Sequence, residues 1–173
     1  RVVYQEITRI DKEISEGRFG KNEALLSAFR EASSSGATVH LFGLVSDGGV
    51  HSSDRHLRAL LEMAKAAGLS GEQVALHAFL DGRDTRPRSA QKYIEAVEGW
   101  MTELGVGRVA TVIGRYFAMD RDKRWDRIQK AFVAIVRAES PSRPFPDALA
   151  ALADGYGKGE NDEFVVPRII AGY

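Results

Sequence analysis

The chain has 173 residues, 24 Lys and Arg against 24 Asp and Glu for a formal net charge of zero, and no cysteine. Neutral balance excludes the broad basic field needed for non-specific nucleic-acid binding or adhesion to an acidic membrane, and the lack of thiols excludes a disulfide framework, a zinc knuckle and a thiol nucleophile. With 44% hydrophobic and 28% charged residues the chain is neither disordered nor collagen-like, and a chain of this size buries about 70% of its unfolded surface, so one domain over 1–173 is expected.

Arg1-Val2-Val3-Tyr4-Gln5 lacks the charged-then-apolar order of a signal peptide, and no apolar run approaches the roughly 20 residues of a membrane span. A cytoplasmic protein is expected, with neither membrane nor nucleic acid as partner. Asn22 reads as the N-cap of a helix carrying Leu25, Leu26 and Phe29 that ends near Ser35-Gly36. Three near-continuous apolar runs follow, Thr38–Val45, Gln73–Leu80 and Arg108–Ile113, the pattern of parallel strands covered on both faces. Each leads through a polar stretch into a helical stripe. The stripes are Leu57, Leu60, Leu61 and Ala64; then Tyr93, Val97, Trp100 and Leu104; then Trp125, Ile128, Phe132 and Ile135. All three are expected to face a core.

Ser140–Pro146 reads as a turn and Ala148–Ala153 as a short helix. Gly155–Gly159 reads as a flexible connection, because no strand precedes it and no Walker Lys-Ser/Thr follows. Glu163–Ile170 is a candidate last strand. Alternation of strand and helix argues for an α/β fold, three layers α/β/α around a mainly parallel sheet.

In such a sheet the loops leaving the carboxyl ends of the strands share one edge, where ligands bind. Those loops are Ser46-Asp47-Gly48-Gly49-Val50-His51-Ser52-Ser53, Asp81-Gly82-Arg83-Asp84-Thr85-Arg86-Pro87-Arg88, and Gly114-Arg115-Tyr116 through Arg121-Asp122-Lys123-Arg124. Singly they have ordinary explanations: Asp-Gly steps make tight turns, and Asp120 to Arg127 alternates in sign like a solvated helix start. Together they gather a His, an Asp beside an Arg, and further arginines on one edge. Arginine outnumbers lysine 17 to 7 in the chain, and its flat fork matches phosphate and carboxylate oxygens two at a time. The cluster suits a small polyanion, with His51 as a donor and Asp84 accepting a hydroxyl's hydrogen bond or shuttling its proton. His40 and His77 fall inside strands and read as packing residues, and His56 has no assigned role. No His-x-x-x-His pair and no compact oxygen-ligand loop is present, so no metal is expected in this chain.

At these loops the sequence resembles the cofactor-independent (2,3-bisphosphoglycerate-independent) phosphoglycerate mutases. The resemblance rests on Val3-Tyr4-Gln5 with Thr8-Arg9-Ile10, Gly43 to Ser52, Leu76 to Thr85, Gly114-Arg115-Tyr116 through Met119 to Trp125, and Glu160 to Phe164. It covers almost the whole chain. It implies the interconversion of 3-phosphoglycerate and 2-phosphoglycerate by a two-domain enzyme. One domain, alkaline-phosphatase-like, holds two manganese ions and a transiently phosphorylated serine; the other, inserted, binds the glycerate, and this chain resembles only the inserted one. His51, Arg83, Asp84, Arg115 and Arg121 are the substrate ligands that the resemblance implies. Asp84 would also hold the hydroxyls and move protons while the glycerate reorients.

The resemblance further implies that the nucleophilic serine, the metal ligands and an Arg pair completing the site lie outside this sequence, so the chain alone is expected to be an inactive monomer that packs against the catalytic domain. Ser53 stands where many relatives have a second His, and Arg86 where the usual Asp-Thr-Pro-Pro has a Pro. The alternative is a stand-alone phosphometabolite-binding module without catalysis.

Overall fold

Two helices open the chain in the computed structural model, which describes residues 3–173; Arg1 and Val2, part of the stretch read above as lacking a leader, lie outside it. The first, α1 (Glu6–Ser15), has no fully buried residue, and the sequence reading contains no helix there. The second, α2 (Glu23–Ser35), starts at the expected cap: the Asn22 side chain accepts from the backbone N–H of Ala24 and Leu25 at 3.1 and 3.2 Å. It stops at Gly36, whose φ of +71° is left-handed.

Strands β1 (Val39–Leu44), β2 (Gly71–Leu80) and β3 (Val106–Gly114) lie side by side and parallel, in chain order. Helices α3 (Asp54–Ala66) and α4 (Ala90–Leu104) are the crossovers. Crossovers of one hand that step across a sheet in one direction fall on one face. There α2, α3, α4 and α7 (Ala148–Gly157) enclose the larger core, into which β2 sends Val74, Leu76, Ala78 and Leu80. The intervening Phe79 faces the other way, with Ile113 of β3, beneath the short α5 (Arg115–Ala118) and α6 (Trp125–Arg137). The fold is the expected α/β arrangement of a mainly parallel sheet flanked by helices. Among the described residues no helix is long and apolar enough to cross a membrane.

Four expectations are corrected. β1 is not covered on both faces: its burial alternates, and Phe42 is 55% exposed. The stripe of α6 is not all core, since Trp125 and Phe132 are 69% and 52% exposed; the helix packs through Ala131 and Ala134 and leaves the outer side of β1 open. Gly155 and Gly157 belong to α7 rather than to a flexible connection. A Cβ at Gly155 would lie 2.9 Å from Glu160 Oε2 and 3.4 Å from Arg168 Nη1, so this glycine admits a buried ion pair to the helix. Finally, Glu163–Ile170 supplies only β4 (Arg168–Ile169), which pairs antiparallel with β3, after a 3-10 turn at Asp162–Phe164.

Candidate functional site

The register aligns the strand ends: Leu44 pairs with Phe79, and Leu80 with Gly114. The three loops therefore leave the sheet side by side. What ties them together is Asp81, the first residue after β2, buried to 3% exposure. Its Oδ2 accepts from Ser46 Oγ of the first loop at 2.7 Å. Its Oδ1 accepts from the backbone N–H of Arg83 and Asp84 at 3.2 and 2.9 Å, and from Arg115 Nη1 of the third loop at 2.7 Å. Burial alone would push the Asp81 carboxyl up; the bonds from Ser46, Asp84, Arg115 and Arg83 outweigh it and hold the group below the ordinary carboxylate range. Gly48 lets the first loop approach, since a Cβ there would stand 3.1 Å from Asp84 Cβ and 3.2 Å from Asp81 Oδ2.

All five sequence-derived candidates, His51, Arg83, Asp84, Arg115 and Arg121, line one cleft of about 190 Å³. They enter it differently. Arg115 is 10% exposed, and its Nη1 also donates to Asp84 Oδ2 at 2.7 Å. Arg83 is 61% exposed and only loosely held, 3.5 Å from Glu163 Oε1. His51 and Arg121 are exposed, and among the described residues Arg121 has no carboxylate partner within 4 Å. Two guanidinium groups and an imidazole thus face solvent around an Asp–Arg pair fixed from below, an arrangement that can take up an anion and present an acceptor to a neighbouring hydroxyl.

Sequence reasoning missed Asp81, and it misread part of the third loop. Asp120 and Arg127 are not members of a solvated helix start: the Asp120 side chain is 1% exposed and Arg127 17%. Asp120 Oδ2 accepts from the N–H of Asp122 and Arg124, and Oδ1 from Arg127 Nη1 at 3.1 Å. Arg127 in turn lies 3.9 Å over the Tyr116 ring. These contacts shape the turn that carries Arg121. The signal available in the sequence was the Asp-x-x-x-Arg spacing, an Asp that can cap backbone N–H groups two and four residues on. Glu163 also lines the cleft, and nothing in its sequence surroundings marked it apart from the resemblance.

Of the remaining histidines, His77 packs as expected; it is fully buried, bonded to Thr111 and to His40. His40 is exposed. His56 is 3.0 Å from Asp11 of α1. Among the described residues no group of three or more His, Cys, Asp or Glu side chains is placed to hold a metal ion.

The profile of the family described as BPG-independent PGAM N-terminus (iPGM_N) matches residues 10–172. The chain is 52% identical over 170 residues to a 2,3-bisphosphoglycerate-independent phosphoglycerate mutase of Lachnoclostridium phytofermentans, covering 98% of this chain and 32% of that one. A Listeria welshimeri enzyme of the same name matches at the same identity and coverage. A Leishmania mexicana phosphoglycerate mutase, solved by crystallography at low cobalt concentration, superposes with a TM-score of 0.87 at 30% identity, over 98% of this chain and 32% of the other. The chain therefore spans about a third of the length of the relatives it matches, and belongs to the family of 2,3-bisphosphoglycerate-independent phosphoglycerate mutases.

Proposed function

We propose that this chain is the substrate-binding part of a phosphoglycerate mutase and that its cleft holds 3-phosphoglycerate and 2-phosphoglycerate. The observation that carries the reading is that five polar residues from three separate loops line one cleft of about 190 Å³. That volume lies below the ~300 Å³ at which drug-sized pockets begin, as suits a small metabolite. Arg83 and Arg121 take the mobile outer oxygens of the ligand, Arg115 holds an oxygen deeper in the cleft, and His51 adds a donor. Asp84 accepts from a glycerate hydroxyl and moves its proton as the glycerate turns between losing and regaining its phosphoryl group. Phosphoryl transfer needs a nucleophile and charge neutralisation; in the full enzyme the remainder of the polypeptide would supply a serine that takes up the phosphoryl group and returns it, and would hold the manganese that neutralises charge. The chain acts in the cytoplasm, in glycolysis, as a monomer that packs against its catalytic domain, and alone it has no mutase activity.

Calorimetry and chemical-shift mapping with 3-phosphoglycerate test the reading. Weak binding with shifts centred on His51, Arg83 and Arg115 is expected, and no turnover in an enolase-coupled assay. Shifts elsewhere would overturn the site. Binding by a gene product that carries no serine phosphatase-like domain would favour the stand-alone module.

A further inference from the structure

We infer that the open side of the sheet between β1 and α6 is the seat of the remaining mutase polypeptide, which enters it as a strand added along the free edge of β1. This rests on the reading above that the chain works as one part of a longer enzyme, and it names the surface at which the parts join.

β1 is the end strand of the sheet. Val45 N–H donates to Phe79 carbonyl of β2 at 2.9 Å, and in a parallel ladder the bonding direction alternates along the strand. The N–H and C=O of His40 and Phe42 therefore point away from β2, toward the free edge. Farther along, Leu44 carbonyl is already occupied by Ser52 Oγ at 2.5 Å, while among the described residues no turn or loop supplies a backbone partner to His40 or Phe42. Edge strands that must stay unpaired are guarded by Lys, Pro or a bulge. Val39–Leu44 has none of these, and its register with β2 runs unbroken.

The sheet face beside that edge is aromatic and open: the exposed His40 stacks on His77 at 5.2 Å, on the same side as Phe42. Phe42 stacks on His77 at 4.7 Å yet remains 55% exposed. Helix α6 also exposes Phe132 and Val136, at 52% and 61%. Tyr173 links sheet and helix: its ring meets His77 edge-on at 5.2 Å, and its hydroxyl donates to the Ile135 carbonyl. An unpaired edge flanked by exposed aromatic side chains fits a strand that bonds to β1 and lays alternate side chains over Phe42. The occupant is the rest of the same polypeptide. The mutases of this family are about three times as long, the chain spanning 32% of them, and a tethered segment is present at millimolar effective concentration, which a second copy must outcompete.

Hydrogen exchange on the full-length mutase containing this sequence tests the inference. The His40 and Phe42 amides are expected to exchange on the order of 100-fold more slowly than unstructured peptide; exchange at the unstructured rate would overturn it. A photoreactive benzoylphenylalanine at position 42 of the same protein supplies the partner's identity. A crosslink to a residue of the same polypeptide outside these 173 is the expected product; one to a second copy, or to another residue within the 173, would overturn the assignment. Neither readout involves phosphoglycerate, so failure here is distinct from failure of the substrate reading, which the titration decides.

Discussion

Arg115 Nη1 donates to Asp84 Oδ2 at 2.7 Å, so two residues proposed to grip a phosphoglycerate grip each other. An anion that binds Arg115 has to meet the Asp84 carboxylate as well, and the pair works as a filter: the ligand must offer a hydroxyl to Asp84 or bear the repulsion. Like charges at about 5 Å near a protein surface repel by a few kcal/mol before screening.

Asp84→Asn is accordingly expected to bind inorganic phosphate about fivefold more tightly, corresponding to about 1 kcal/mol of relieved repulsion, while binding 3-phosphoglycerate more weakly because the hydroxyl loses its acceptor. Calorimetric titration with each ligand measures both. Parallel loss for the two ligands would mean that Asp84 only organises the loop.

Asp81 is the more severe position to disturb. Asp81→Asn keeps the shape of the side chain and removes the charge to which Ser46, Arg115 and two backbone N–H groups are bonded. Removing one partner of a buried ion pair costs about 3 kcal/mol or more, and Arg115 retains only Asp84. A lower urea midpoint with an unchanged slope is expected, together with at least tenfold weaker phosphoglycerate binding. A variant as stable as the parent would remove Asp81 from the centre of the site.

The contrast between Asp81 and Arg115 shows what the sequence disclosed and what it withheld. Strand order, the Asn22 cap and the meeting of three loops follow from local periodicity and from the rules of parallel sheets, and the arginines stood out because charge at strand ends is chemically conspicuous. Asp81 looked like the first residue of an Asp-Gly turn, because nothing in one segment says that its carboxylate faces two other loops. Asp120 and Trp125 were misread for the same reason in opposite senses. Whether a charged side chain is enclosed, or an apolar one left uncovered, depends on what packs there from elsewhere in the chain or beyond it.

His77 gives the protein a pH dependence of its own. Burial, aided by His40 and Arg108, lowers its pKa from 6.5 to about 4, so the folded ring is neutral through the range in which the unfolded ring takes up a proton. The unfolded state then binds more protons, and stability falls as pH drops from 6.5 toward 4, by up to about 3 kcal/mol. Above pH 7 the contribution is flat. Urea unfolding at a series of pH values should show this slope, and His77→Gln should remove it; Asp81, held low by its partners, acts only on the more acid side. An unchanged slope in the variant would assign the dependence to another group.

Gly114 ends β3 directly beneath the turn that carries Glu163. Its φ of −63° suits any residue, so the conflict is purely of space: a Cβ would lie 2.5 Å from the Glu163 carbonyl oxygen and 2.6 Å from the Val165 nitrogen. Both are backbone atoms that cannot swing aside, and the Gly114 N–H is itself bonded to the Val165 carbonyl at 2.8 Å. Gly114→Ala is expected to cost about 3 kcal/mol, the upper range for overpacking, and to carry Glu163 out of the cleft. Gly99, exposed within α4 with nothing within 4 Å of a Cβ, is the internal comparison. There Gly→Ala should stabilise by about 0.5–1 kcal/mol, because only the freedom of the unfolded chain changes. Urea midpoints moving in opposite directions for the two substitutions would locate the effect in the contact between β3 and the Glu163 turn; a Gly114→Ala protein as stable as the parent would mean that this turn yields.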